Sequence, residues 1–547
     1  MGPRRERYLV AALPPELLPA GLAGVAPVDP ASLLAQLEAD PACAVVRVLP
    51  ARLDALHALG AGLPAAGFPQ VAVVEMDDDR AAMFAATPLL HVEPDLPLQY
   101  AEAGLRIADP GVTPLGADAT VDFEVRGADG RPVAGAEVYL LGEAFPARGV
   151  TGPDGRVALV APAATVASAH GVYVKPRYDY WSVWVPRPAL DRSAPHLITC
   201  PALTDTFPGF PGRHELDGWA RRSMRFDALP PTFRGHGVRV AVIDSGAAVD
   251  HPDLAGRFVG GQDLTAEPGG DPEGWRVDTV GHGSHCAGII GGRDDGTGIR
   301  GIAPEVELHS CKIFPGGRFS DLIAALDYCI AHGIDVVNLS LGSPQPSELI
   351  ARKIEQARQA GVACVAAAGN SGGAVAFPAS MPSVLAVAAI GKVDEFPPQS
   401  HHATQVTGTP TVEGYFSARF TCHGPEIDVC APGVAVVSSV PPRNYAAWDG
   451  TSFAAPCVSG LAALVLAHHP DFRTHLAARD AARVDGLFDI LRRSGRPLAL
   501  GDPGRSGAGL PDAVLAVGQA PAVAAAPPAH PALAALWTAM TRAGLLP

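Results

Sequence analysis

VRVAVID (238–244) runs through six mostly apolar residues to Asp244 and then breaks at Ser245-Gly246. An apolar run of strand length without polar alternation marks a strand covered on both faces. Three more such runs follow: VELHSCKIF (306–314), IDVVNLSL (334–341) and GVACVAAAG (361–369). Between them, SDLIAALDYCIAHG (320–333) and SELIARKIEQARQAG (347–361) each open on a capping Ser and close on Gly. Strand and helix in alternation predict an α/β fold, a doubly wound and mainly parallel sheet with crossover helices. In such a sheet, reactive residues gather at the carboxyl ends of the strands, where Asp244 stands.

Working outward, the pattern changes twice. Residues 1–103 predict a small α+β unit with strands in CAVVRVL (43–49), QVAVVEM (70–76) and LLHVEPD (89–95). Between the last two, DDDRAAMFAATP predicts a short helix with acidic residues at its positive end. From Leu105 to about Leu190 the period becomes two: Val121, Phe123 and Val125 face one way, and Asp122, Glu124 and Arg126 the other. Asp129-Gly130 and Asp154-Gly155 are hairpin signals between such runs. The expected organisation is an α+β domain (1–103), a β-sandwich (104–195), the α/β domain (196–519), and an Ala/Pro linker with a short C-terminal helix (520–547).

Composition narrows the function classes. A length of 547 residues suggests about three to four domains. A formal charge of −15 with no basic block argues against nucleic acid or an anionic membrane as the main partner. The longest apolar run, Ala454 to Ala467, is too short to span a bilayer and is interrupted by Pro456, Ser459 and Gly460. The N-terminus shows no sustained apolar stretch of a signal peptide, so the expected location is cytoplasmic. Nine cysteines, an odd number without repeated spacing, read as buried free thiols in a reducing compartment, with Cys422 and Cys430 able to pair.

Three residues carry the chemistry. Asp244 ends a strand, His282 lies in GHGSHCAGII, and Ser452 lies in DGTSFAAPCVSGLAALVLA at the start of the most apolar helical stretch. Each alone is ordinary: a turn Asp, a capping His, an N-cap Ser. Together, DSG (244–246), HGSH (282–285) and GTSFAAP (450–456) resemble the three motifs of the subtilisin family, with separations of 38 and 170 residues. That chain order is the known order of subtilisin, so it is matched rather than derived. The likeness runs from about Arg213 to Val517 and includes HPDL (251–254), GIAP (301–304), NLSLG (338–342), AAAGN (366–370), PSVLAV (382–387) and APG (431–433).

The resemblance implies a serine endopeptidase acting on protein or peptide through an acyl-enzyme, with no organic cofactor. Ser452 would be the nucleophile, His282 the base, Asp244 its orienting partner and Asn370 an oxyanion donor. Ser340-Leu341-Gly342 and Ala367-Ala368-Gly369 match two edges that bind an extended substrate, and Phe319 an aromatic wall of a distal pocket. A structural Ca²⁺ is implied at Asp253 and Asp295, with the carbonyls of Arg293, Thr297 and Ile299 completing an oxygen shell. QVAVVEMDDDRAAMFAATPLLHVEPDLPLQY (70–100) resembles the second half of a subtilisin propeptide, which implies residues 1–103 as an intramolecular inhibitor. PVAGAEVYLLG and GVTGPDGRVAL (132–142, 149–159) resemble the carboxypeptidase regulatory-like β-sandwich.

Two rivals deserve weighing. Gly369-Asn370-Ser371-Gly372-Gly373 fits the nucleophile elbow of α/β-hydrolases, yet GGAVAFP after Ser371 is a poor helix start. A binding protein built on an inactive protease domain is disfavoured because every expected catalytic residue is present.

Overall fold

The computed structural model describes residues 5–13, 25–51, 68–100, 118–143, 145–191, 193–265 and 270–519. The expected linker and helix at 520–547, and the junction between the first two units, lie outside the described residues.

The four apolar runs form neighbouring strands, Arg239–Asp244, Glu307–Lys312, Val336–Leu339 and Ala363–Ala367, within a nine-stranded sheet. In space the order is Phe258–Asp263, Glu307–Lys312, Arg239–Asp244, Val336–Leu339, Ala363–Ala367, Leu385–Lys392, Tyr415–Ala418, Val406–Thr407, and the ninth strand, Val429–Pro432, pairs in parallel with Leu385–Lys392. The first six pair in parallel, and Tyr415–Ala418 and Val406–Thr407 add an antiparallel edge. Helices Phe319–Ala331 and Glu348–Gln359 pack as one pair, and His282–Gly291 and Thr451–His468 as another. Thr451–His468 is apolar all round, which a surface helix cannot be, and it sits in the middle of the core. Among the described residues it alone is long and apolar enough to cross a membrane, and 89% of that stretch is buried inside the protein.

The N-terminal unit is an antiparallel sheet in the order Ala44–Leu49, Val71–Met76, Glu6–Ala12, Leu90–Pro94. Strand Glu6–Ala12 and helix Pro30–Ala39 add to the elements expected. The helix had a readable start, because Asp29 accepts from the Ser32 amide and Pro30 occupies the first helical position. Strand alternation gives this sheet two apolar faces. Val10, Ala12, Ala72 and Val74 meet Leu33 and Leu37 of the unit's own helix. Leu9, Ala11, Leu49, Val71 and Val73 join the core of the α/β domain.

The two crossover helices take their caps from this unit. Asp95 is 1% exposed and accepts from the Ser320 amide and hydroxyl, both at 2.9 Å. Glu93 accepts from the Glu348 amide at 3.0 Å and from the Ser347 hydroxyl. Ser347 is itself the N-cap, as expected, and accepts from the Ile350 amide. Ser320 is not: the helix begins at Phe319 with Arg318 as N-cap, and Ser320 lies in the first turn. The reason is that Asp321 reaches back to the Arg318 amide while Asp95 takes over the Ser320 donors.

Between these units stand two facing sheets, one of Val183–Pro186, Gly171–Lys175, Glu137–Leu141 and Ala147–Val150, the other of His196–Cys200, Asp118–Gly127 and Arg156–Pro162, so the sandwich runs to Cys200 and past the boundary expected at 195, because its last strand pairs with Asp118–Gly127. Val121, Phe123 and Val125 point into their shared core. Gly130 and Gly155 take φ of +79° and +75°, the left-handed turn conformation the two Asp-Gly pairs announced. All nine cysteines are free, so Cys422 and Cys430 do not pair.

Removing the Asp95 cap with Asp95→Ala should cost about 1 kcal/mol. Thermal unfolding should show a lower midpoint, with Asp95→Asn losing less because its amide oxygen still accepts.

Candidate active site

Asp244 closes its strand and is 1% exposed. His282 opens helix His282–Gly291 after Gly281, whose φ of +91° turns the chain into the helix. Its Nδ1 lies 2.8 Å from both carboxylate oxygens of Asp244. Burial disfavours the imidazolium, but the Asp244 charge outweighs it and holds the His282 pKa well above the ordinary histidine value. Sequence reasoning missed the residue that shapes this turn. Asp278 accepts from the Ser245 hydroxyl, the Val280 and Gly281 amides, and both the amide and hydroxyl of Ser284. An Asp four positions before the His, with donors on either side, was the available signal.

Ser452 is the second residue of helix Thr451–His468 and is fully buried. Its hydroxyl donates to the Ser340 carbonyl at 3.1 Å, and His282 Nε2 has no hydrogen-bond partner among the described residues. The structure therefore brings Asp244 and His282 into contact but holds the Ser452 hydroxyl on another acceptor. The Ser452 carbonyl is fixed from below by the Ser340 hydroxyl at 2.8 Å and the Cys286 thiol at 3.4 Å. Asn370 follows strand Ala363–Ala367, and its Oδ1 accepts from the Thr451 amide and hydroxyl, both at 2.9 Å. With the oxygen so committed, the NH₂ end of that amide is the donor end.

The cleft holds a piece of the chain itself. Gln99–Tyr100 pairs antiparallel with Leu341–Gly342. On the other side the Leu98 amide donates to the Gly317 carbonyl at 2.8 Å, and the Phe319 amide to the Leu96 carbonyl at 3.0 Å. The Tyr100 ring lies 5.0 Å from His282 and 5.6 Å from Phe314. On its other side this segment is therefore bordered by residues 317–319. The Ala368 amide and carbonyl are used by Val387 and Ala376, and those of Gly369 by Thr451 and Cys422, so their backbone is spent inside the domain. Phe319 is buried with its ring 6.5 Å from Phe377.

The subtilase family model matches residues 235–483. Subtilisin DY of Bacillus licheniformis is 34% identical over 246 residues, covering 44% of this chain and 80% of that protein. Subtilisin of Bacillus pumilus is 34% identical over 256 residues, 45% of this chain and 83% of its own length. An intracellular serine protease of Paenibacillus polymyxa is 33% identical over 241 residues, 42% of this chain and 67% of its own. The chain belongs to the subtilase family. This subtilase is a serine-type endopeptidase with the doubly wound α/β fold, which removes the esterase reading. Ser371 accordingly lies in a turn, its hydroxyl 3.1 Å from the Cys422 thiol.

Subtilases generally carry structural Ca²⁺ and need no other cofactor; in this subtilase both carboxylates expected to hold the ion are engaged by protein groups. The Asp253 carboxylate accepts from the Ile299 amide at 2.9 Å and from the Tyr445 hydroxyl. Asp295 is partly exposed and accepts from Thr297, at 2.9 Å for the hydroxyl, while pairing with the Arg293 guanidinium at 3.1 Å. Glu215, from the connector, accepts from the Asp295 and Gly296 amides at 3.0 and 3.2 Å. Protein donors thus occupy the carboxylates that a cation would need. Burial pushes the Asp253 carboxyl up to about 7, against the Ile299 and Tyr445 bonds that lower it.

The melting temperature should be equal in excess chelator and in millimolar Ca²⁺, since a ligand that does not bind the folded state cannot stabilise it. Tyr445→Phe should lower stability by about 2 kcal/mol, the scale of a hydrogen bond to a charged acceptor. Because the folded carboxyl of Asp253 sits near 7 and the unfolded one near 3.8, its contribution is largest below the lower value and is lost as pH rises to the upper. Wild type should therefore lose stability relative to Asp253→Asn between those limits, measured by unfolding at each pH.

Proposed function

We propose that this subtilase cleaves peptide bonds with Ser452 as nucleophile, His282 as general base and then acid, and Asp244 as the group that orients His282. The observation that carries the assignment is the buried Asp244–His282 contact at the end of the central strand, with Ser452 opening the core helix beside it. The Ser452 hydroxyl leaves the Ser340 carbonyl, turns to His282 Nε2 and gives up its proton as Oγ attacks the substrate carbonyl. Asp244 favours the imidazolium formed at that moment, and His282 returns the proton to the leaving amine. The Asn370 NH₂ and the Ser452 amide, at the positive end of a buried helix, receive the oxyanion. Nucleophile, base and oxyanion donors all come from the chain, so no organic cofactor enters.

The N-terminal unit, in this proposal, holds the enzyme latent. Leu96–Tyr100 lies along the edges a substrate would use, and Tyr100 covers His282. Cleavage near Ala101, outside the described residues, would follow from that placement. Nine free thiols and the likeness to an intracellular serine protease favour a reducing, cytoplasmic setting.

Ser452→Ala should lower turnover by about 10⁶, and Asn370→Ala by about 10²–10³, magnitudes known from subtilisin itself and carried over. Ser371→Ala should be nearly silent, and a fluorophosphonate should label Ser452. Inactivation by Ser371→Ala instead would sink the assignment. For latency, a new N-terminus near Ala101 should form in wild type and not in Ser452→Ala, and separately made residues 1–103 should inhibit in trans.

A further inference from the structure

Leu96–Tyr100 lies along the cleft as an extended segment, and its register locates the substrate residue next to the scissile bond. Gln99 pairs with Gly342 and Tyr100 with Leu341, so a substrate laid in the same antiparallel register brings its next residue opposite Ser340. The Ser340 carbonyl is the group that holds the Ser452 hydroxyl, at 3.1 Å. The residue after the Tyr100 position therefore offers its carbonyl to the nucleophile. Side chains alternate along an extended strand. The Tyr100 ring faces His282 at 5.0 Å and Phe314 at 5.6 Å, so the side chain of the residue that is cut turns the other way.

The sheet order fixes what stands there. Phe314, and Asp244 with its partner His282, follow the two strands on one side of Val336–Leu339, while Gly369-Asn370 follows Ala363–Ala367 on the other. That side chain therefore enters the gap between Gly342 and Gly369, whose amide donates to the Thr451 hydroxyl at 3.1 Å just before Ser452. Ala376 closes the bottom of the gap. A methyl group placed on Gly342 would lie 3.3 Å from the Ala376 methyl, and one on Gly369 3.1 Å from it, so the same methyl bears on both walls. It cannot drop away. The Ala376 amide donates to the Ala368 carbonyl at 2.9 Å, and Phe377 exchanges backbone bonds of 2.8 and 3.1 Å with Ser343. Ala376 and Gly342 are partly exposed, so the gap is open above and shallow.

We propose that this subtilase cuts after residues with small side chains, alanine or serine, and that Ala376 is the residue that sets this limit. The inference rests on the peptidase assignment above and names the substrate class of the same site. A larger side chain must displace a methyl held between two pinned backbone segments, in packing where a single methylene is felt. The chain itself continues from Tyr100 with Ala101-Glu102, so the bond that this register offers, Ala101–Glu102, follows a small residue.

The test uses the full chain carrying Leu98→Asp, which charges a buried side chain of the seated segment and so frees the cleft. Peptides copy Leu96–Tyr100, then carry Ala, Ser, Leu or Phe, then end in Glu-Ala, and mass spectrometry locates the cut. The expected result is cleavage after the varied residue, with kcat/KM about tenfold or more higher for Ala and Ser than for Leu and Phe, the scale on which a tight pocket separates side chains by size. Adding Ala376→Gly should raise the Leu and Phe peptides about tenfold relative to the Ala peptide, and Ala376→Val should slow the Ala peptide as well. Equal rates for Ala and Phe, a cut at another bond, or a ratio that Ala376→Gly leaves unchanged overturns the proposal. So does fluorophosphonate labelling of Ser452 without cleavage of the Ala peptide. Absence of both cleavage and labelling overturns the peptidase assignment instead.

Discussion

A charged pair with no access to water organises this molecule. Asp244 and His282 are 1% and 0% exposed and touch at 2.8 Å, and a buried ion pair costs several kcal/mol of desolvation per ion unless its geometry and remaining hydrogen bonds are good. The surroundings supply both. Asp244 stands at the end of a strand paired on both sides, and its second role is to accept from the Ser245 amide. Asp278 gathers five donors from Ser245, the loop before His282 and the first turn of the helix, which fixes the backbone that carries the imidazole. That buried carboxylate is in turn satisfied, which is why a second unpaired acid next to the site is tolerated.

Much of this was legible in the sequence because it depends on local pattern. Apolar runs gave the parallel strands, period-two alternation gave the sandwich, and Asp-Gly pairs gave its turns. The Asp, His and Ser motifs carried the site because their family order is known, not because any one of them is distinctive. What the sequence hid is what depends on partners far along the chain. Ser320 has the local look of an N-cap, but Asp95, 225 residues away, takes its donors. Asp253 and Asp295 keep a family's spacing for an ion, but Tyr445 supplies the donor that changes what Asp253 holds. Ala368 and Gly369 keep a family's edge motif while their backbone groups are spent internally. In each case the residue type was read correctly and its partner could not be.

The three units share their interiors unequally. The sandwich has a core of its own around Phe123 and Val125, and meets the catalytic domain through specific contacts: the Asp179 amide on the Tyr445 carbonyl, the Trp184 amide on the Gln399 carbonyl, and the Tyr173 ring tilted against His401 at 4.0 Å. Asp179 also accepts from Asn444 and Tyr445, so the same tyrosine that holds Asp253 is gripped from the sandwich side. The loop after the His282 helix is thus tied to the accessory unit through protein contacts.

The N-terminal unit is bound differently. One face of its sheet is continuous with the catalytic core, and Phe68 lies 3.4 Å over the ammonium of Lys353, a lysine with no exposure that pairs with Asp327 at 2.6 Å. Detaching this unit would bare Leu9, Leu49, Val71 and Val73 along with the two helix N-termini now capped by Glu93 and Asp95. Each apolar side chain uncovered costs about 1.5–3 kcal/mol. Breaking one peptide bond near the cleft changes none of these contacts, so a cut by itself does not free the cleft. The segment Leu96–Tyr100 is held there by a few backbone bonds and by the buried Leu98 side chain, whereas the sheet behind it is held by a larger core. Release of the segment and release of the unit are therefore separable events with different free energies.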